Sequence, residues 1–223
     1  MLDEHYLVSD KNKATRYNPE KSVERMHYRG KYMSGIIAVL IFIVSLFFSL
    51  VIFSLWLRIA LRYLRVSALH PVNQLLYKVT NPIVNPIQLL SKQPYKPGQK
   101  YDIPALITLV LVELLKIICI SLLALHGIIP IVFIFIYIIA DLIIQPCDIL
   151  FYAILVRVIM SFVNPNWQGP IADLLRLLTE PLLKLGRKIV PDISGFDFSP
   201  FIILVLLKII TLFISANLPW RLL

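Results

Sequence analysis

Charge is scarce in this chain. Of its 223 residues only 16% are Asp, Glu, Lys or Arg, where a soluble globular domain carries about a quarter. Mean hydropathy is +0.79, which excludes a water-soluble enzyme of ordinary composition. Disorder is excluded too, because it requires low hydrophobicity. Cysteine is almost missing: Cys119 and Cys147 stand alone, each inside an apolar stretch. Two such thiols build neither a disulfide framework nor a metal cluster, and no Cys-x-x-Cys-His string offers haem attachment. There is no nucleophile with a paired base, no phosphate loop and no pair of catalytic carboxylates. The sequence therefore predicts a protein that is not an enzyme, with no catalytic residues, no metal site and no cofactor.

What the chain has in quantity is apolar length. Residues 36–57 run without a charge, and a hydrocarbon core of ~30 Å needs about 20 residues of helix. Residues 103–125 form a second apolar block, with Glu113 and Lys116 inside it. Residues 128–163 form a third, interrupted by Asp141, Gln145, Pro146 and Asp148, and 198–220 form the last, containing Lys208. As one straight helix the third block would be ~54 Å long. It is expected to be a single long helix bent at Pro146. The fold class is then all-α, a polytopic membrane protein of four transmembrane helices. The formal charge of +9 belongs to tails and loops, where it fits cytoplasmic loops and anionic lipid better than nucleic acid.

The chain also repeats itself. At an offset of 99 residues Arg58 matches Arg157, Pro71 matches Pro170, Thr80 matches Thr179 and Pro82 matches Pro181. Each copy carries an apolar quartet at i, i+3, i+4, i+7: Val72, Leu75, Leu76, Val79, then Ile171, Leu174, Leu175, Leu178. That is one face of a short amphipathic helix, begun by a proline and expected to be stopped by Pro82 or Pro181. Beyond it the offset becomes 95, so that Asp102 matches Asp197. The organisation predicted is a hydrophilic tail over 1–33, a first repeat over 34–125 and a second over 126–223. Two spans per repeat give both copies the same orientation, so both amphipathic segments lie on one side. That side holds twelve Lys and Arg and the other eight, which places it in the cytoplasm. His70 and His126 then fall on opposite faces and cannot ligate one haem.

The second linker reads Leu178-Thr179-Glu180-Pro181, then Arg187-Lys188, then Gly195-Phe196-Asp197-Phe198-Ser199-Pro200. This resembles the YggT repeat, and Val79-Thr80-Asn81-Pro82 resembles its more divergent form. Pro104-Ala105 stands where the family has Ser-Pro, and Asn85 and Gln88 stand where it often has basic residues. The resemblance implies an integral protein of bacterial plasma membranes and thylakoids. It also implies a role in membrane-complex or cofactor assembly, cell division or tolerance of osmotic stress. The implied function is that of a membrane scaffold or assembly factor. Its expected partners are the lipid bilayer and a membrane or cytoplasmic protein, with a homo-oligomer open and nucleic acid excluded.

Two residue sets invite a role. Glu113, Lys116, Asp141 and Lys208 lie at similar depth and sum to zero charge. They read either as a structural polar cluster, the favoured reading, or as the path of a small channel or transporter subunit. Glu113 and Lys208 hold equivalent positions at the 95 offset and would neutralise each other if they pair, while Glu113 can also pair locally with Lys116 at i, i+3. The second set is the repeat motif: Thr80, Pro82 and Asp102 in one copy, Thr179, Glu180, Pro181, Asp197, Ser199 and Pro200 in the other. Capping explains its chemistry, with Asp197 or Ser199 at the start of the last span and Thr179-Glu180-Pro181 at the start of a helix from Leu182. Lys184, Arg187 and Lys188 are placed to reach anionic headgroups. The topology makes one direct prediction. A cysteine at Gln99 should be shielded from impermeant thiol reagents outside intact cells, while one at Gly127 should react. Labelling at Gln99 alone would reverse the orientation.

Overall fold

A computed structural model of the chain describes residues 19–90, 100–125, 127–164, 167–189 and 197–218. They form six helices: α1 (Pro19–Tyr63), α2 (Pro71–Leu90), α3 (Ile103–Leu125), α4 (Ile131–Val163), α5 (Pro170–Ile189) and α6 (Ser199–Ala216). No strand occurs among the described residues. Proline marks each start. Pro19, Pro71 and Pro170 open their helices, Pro104 and Pro200 sit second, and Pro130 caps α4. At these places the missing N–H would be unpaired anyway and the ring pre-sets φ. The chain divides into two units, Met1–Phe42 and Ile43–Leu223. The first is helical from Pro19 onward. The second contains all the packing described below.

Four helical segments are long and apolar enough to cross a membrane: Gly35–Tyr63, Ile103–Leu125, Ile131–Val163 and Ser199–Ala216. The third apolar block is a single helix with Pro146 inside it, as expected. The amphipathic segments depart from expectation. Both run straight through their second proline: α2 contains Pro82 and Pro86, and α5 contains Pro181. No new helix begins at Leu182. An interior proline costs ~3 kcal/mol because it removes one backbone bond and crowds the carbonyl four residues earlier. Here the turn ahead of it is clamped from outside. Thr80 and Thr179 donate their hydroxyls to the carbonyls of Leu76 and Leu175, each at 2.7 Å. Arg157 Nη1 reaches within 3.5 Å of the Arg176 carbonyl. These bonds brace the turn next to the Lys78 and Leu177 carbonyls that Pro82 and Pro181 leave without an N–H.

The apolar quartets split between inside and outside. Leu76 and Leu174 are buried in one cluster with Leu57 and Leu61, and Val72 and Leu178 pack against it. Leu75, Val79 and Ile171 are exposed. So one edge of each linker helix packs on α1 and on the other linker, and only the remaining edge is open. α1 ends at this cluster. Arg65 takes φ 55° and the Val66 N–H bonds the Leu61 carbonyl at 3.0 Å, closing the last turn with a Val66–Leu61 apolar contact.

Three further clusters tie the spans together. Phe48, Ile52 and Leu55 of α1 pack on Val84 of α2 and on Ala105 and Leu109 of α3. Ile117 and Ile120 of α3 pack on Ile134, Tyr137 and Ile138 of α4. Ile154 of α4, Leu183 of α5 and Ile203 and Leu207 of α6 close the second repeat. There α5 approaches α6 closely at Gly186, where an added Cβ would lie 3.0 Å from both Ile203 Cγ1 and Ser199 Cβ. Gly186→Ala should therefore lower stability by ~1–3 kcal/mol, the usual cost of overpacking. At Gly127 the same atom would meet nothing closer than 3.9 Å. Thermal unfolding in detergent should show a lowered midpoint for Gly186→Ala and none for Gly127→Ala.

Candidate functional site

The matched arginines organise both repeats. Arg58 lies near the end of α1 and is 2% exposed. Its Nε donates to Asp102 Oδ2 at 3.0 Å. Its Nη1 donates to Thr80 Oγ1 and Asn81 Oδ1, each at 2.8 Å. The guanidinium lies 4.4 Å from the Tyr77 ring centroid. Arg62, one turn further, also reaches Asp102 Oδ2 at 3.0 Å. The other oxygen of Asp102 accepts the Ala105 N–H at 3.3 Å and so caps α3. One carboxylate thus joins α1 to the start of α3, and one guanidinium joins α1 to the middle of α2.

The second repeat keeps the design and rewires the charges. Arg157 of α4 donates Nη1 to Thr179 Oγ1 at 2.7 Å and Nη2 to Glu180 Oε2 at 2.8 Å. Glu180 stands where the first repeat has Asn81. Its other oxygen lies 3.4 Å from Arg187 Nη1, and Arg187 Nε donates to Asp197 Oδ2 at 2.9 Å. Asp197 Oδ1 accepts the N–H of Ser199 at 2.9 Å and also its hydroxyl. The direct Arg58–Asp102 bond is therefore replaced by a relay, Arg157–Glu180–Arg187–Asp197. Ser161 stands at the position equivalent to Arg62, and Gln88 at that equivalent to Arg187. Each network uses two arginines, both from the span in the first repeat and one each from span and linker in the second.

This arrangement sets the charge states at the rim. The hydrogen bond from Arg157 holds the Glu180 carboxyl below its usual range. Burial pushes Asp197 up, but its bonds from Ser199 and Arg187 outweigh that and leave it lowered. Asp197 holds Arg187 above the usual guanidinium value. Thr80, Asp102, Thr179, Glu180, Asp197 and Ser199 are thus drawn into these networks, while Pro82 and Pro181 lie beside them inside the helices. Arg187 is engaged in two ion pairs. Lys184 and Lys188 are exposed. The sequence reading noticed Arg58 and Arg157 only as a matched pair. Their signal was a cation at the end of an apolar span, recurring in register with Thr and Pro.

The polar residues within the membrane do not form one cluster of four. Glu113, Lys116 and Asp141 meet: Lys116 Nζ bonds Asp141 Oδ2 and lies 3.2 Å from Glu113 Oε2. Lys208 is elsewhere. It is exposed on α6, with Nζ 5.6 Å from the Phe151 ring centroid, and its charge acts on Asp148. Phe151 is ten residues beyond Asp141 on α4, or ~15 Å along the helix. Of the two pairings open to Glu113, the local one with Lys116 is formed and that with Lys208 is not. Equal counts of residues into two spans do not bring Lys208 level with Glu113, and Lys116 already occupies the place a partner of Glu113 would take.

Two open grooves lie at matching places. One, of about 530 Å³, runs along α2 past Gln74, Tyr77, Lys78, Asn81 and Gln88. The other, of about 640 Å³, runs along α5 past Asp173, Arg176, Leu177, Glu180 and Lys184. Gln74, Tyr77, Lys78 and Asn81 correspond to Asp173, Arg176, Leu177 and Glu180 at the 99 offset. The repeats thus leave the same face of each linker helix open. The CCB3/YggT family model matches residues 37–123 and again 130–218, one match on each copy of this arrangement. The chain belongs to the CCB3/YggT family. It is 31% identical to YggT of Escherichia coli K12 over 78% of this chain and 87% of that protein. An uncharacterized protein of Pseudomonas aeruginosa is 29% identical over 83% of this chain and 93% of its own length. The ycf19 protein of Guillardia theta is 40% identical over 28% of this chain and 69% of its own length. No solved structure matches.

The rim carboxylates make stability depend on pH. Both have folded values below their ordinary ones of 4.5 and 3.8. Their stabilisation is fully present above those ordinary values and is lost as pH falls through the lower folded values. A variant with Glu180→Gln and Asp197→Asn should melt below the parent at pH 7. The gap should close as the pH is taken below 4.5. A gap that persists at low pH would mean that the two carboxylates act by shape and not by charge.

Proposed function

We propose that this member of the family is a non-catalytic membrane scaffold or assembly factor of the plasma membrane. It recruits a protein partner on the cytoplasmic side through α2 and α5. The observation that carries this reading is the pair of repeat-equivalent grooves. Each lies on a linker helix held by an arginine network that reaches the groove itself, at Asn81 in α2 and Glu180 in α5, so the open face is held in place for binding. The two grooves differ in chemistry. That of α2 is lined by amides, Tyr77 and the cations Arg58 and Lys78, and that of α5 by charges of both signs. Such a division fits the binding of two different segments of one partner better than two identical ones. What recruitment serves lies within the range the family resemblance implies: assembly of a membrane complex or its cofactor, cell division, or tolerance of osmotic stress.

Photo-crosslinking residues placed at Gln74 and at Asp173 in intact cells should give adducts with a discrete membrane or cytoplasmic protein. Replacing Arg58 and Arg157 with Gln removes both networks. The adducts should then be lost while the protein stays in the membrane. Adducts only with lipid, or adducts unchanged in the double variant, would contradict the scaffold reading.

A further inference from the structure

Three charged groups meet between α3 and α4, and they do not balance. Lys116 is shared by Asp141 and Glu113, which leaves one negative charge in excess when all three are ionised. The site is buried: Glu113 is 0% exposed, Asp141 1% and Lys116 5%. Both carboxyl oxygens of Glu113 lack a hydrogen-bond donor among the described residues. Lys116 Nζ is at ion-pair distance from Oε2 but without hydrogen-bond geometry, because the ammonium is drawn onto Asp141. What Glu113 meets besides Lys116 is the Asp141 carboxyl group, one acceptor facing another. Asp148, two turns along α4 from Asp141, is the next ionisable group, and both Asp141 and Lys208 act on it; the clusters on either side are apolar. Leu109 and Val112 of α3, Phe48 and Val51 of α1 and Leu142 of α4 belong to one cluster, and Ile117 and Ile138 to the next. The other lysine within a span, Lys208, stands well along α4 beside Phe151.

An unpaired anion left in such an interior costs several kcal/mol, and two carboxylates that share one desolvated site do not both ionise. A single proton removes both difficulties. It neutralises the group as a whole, and it turns Glu113 from an orphaned acceptor into a donor toward the acceptor it faces. We infer that Glu113, Lys116 and Asp141 form a proton-binding site within the membrane, which holds one proton on the Glu113 carboxyl at neutral pH. Lys116 remains an ammonium bonded to Asp141, and Glu113 sits against the pair as a neutral acid. A metal ion is the poorer occupant. The Lys116 ammonium already fills the space between the two carboxylates, and hard cations require six or more oxygen ligands. Release of the proton restores the excess charge at the contact between α3 and α4. The protonation of Glu113 is therefore coupled to the packing of these two spans. This inference is independent of the scaffold role.

The test uses the full chain in lipid nanodiscs at pH 7 and the infrared carbonyl stretch of a protonated carboxyl group. The parent protein should show this band, and it should shift when glutamate carboxyls carry carbon-13. Glu113→Gln should abolish it. Asp141→Asn should abolish it as well, because Glu113 and Lys116 then balance and the proton leaves. The melting midpoint of Glu113→Gln should match that of the parent, while Lys116→Met should lower it. A parent without the band, or a band that moves only with labelled aspartate, overturns the assignment. So does a loss of stability in Glu113→Gln as large as that in Lys116→Met. A rise in melting midpoint when sodium chloride replaces choline chloride, with no carboxyl band, would replace the proton by a metal cation.

Discussion

A guanidinium carried at the end of an apolar helix cannot be left without partners, and this requirement orders the whole fold. Arg58 is 2% exposed. Removing such a group from water is costly unless several acceptors replace the solvent. The acceptors come from three places in the chain: Thr80 and Asn81 in the linker helix and Asp102 at the start of the next span. One side chain thereby fixes the relative height of α1, α2 and α3. The same requirement explains why α2 and α5 survive their interior prolines. The threonine that accepts from the arginine donates in turn to its own helix, so the weak turn is also the turn held from outside.

Much of this was legible in the sequence, and the parts that were not share one cause. The four spans follow from apolar length, which is a property of local composition. The repeat follows from Arg, Pro and Thr in register. The helices through Pro82 and Pro181 were missed because a local rule says that proline ends a helix, and only a partner on another helix overrides it. Lys208 does not join Glu113 because equal counts into two spans do not make equal heights once the helices are packed, and only the packing places Lys208 beside Phe151. The arginines Arg58 and Arg157 were visible as a match. Their central place depended on distances to residues 22 and more positions away, which no periodicity reveals.

The two copies have diverged in how they resist their surroundings. In the first repeat the ion pairs are buried, with Arg58 and Asp102 side chains 3% and 2% exposed. In the second they are open, with Arg157 24% and Arg187 40% exposed. Exposed pairs are weak and are screened by salt, whereas buried pairs are screened much less. The substitution of Glu180 for Asn81 and the transfer of one arginine from span to linker thus give the second copy a network open to the ionic medium. The first copy has a lock largely insulated from it.

The spans of the second repeat are unequal, and the membrane must accommodate the difference. α4 has 33 residues and α6 has 18, or ~50 Å and ~27 Å of helix. The shorter helix falls just below the ~30 Å of a typical hydrocarbon core. A bilayer meeting α6 is drawn thinner on that side, at a cost of a fraction of a kcal/mol for each ångström of mismatch. That dimple brings the headgroups closer to Lys208, the exposed cation near the middle of α6. A lysine at the centre of a span costs about 2.5–3.5 kcal/mol, and the cost falls as its ammonium nears the interface. The short helix and the exposed lysine are therefore complementary: the thinning imposed by one relieves the exposure of the other.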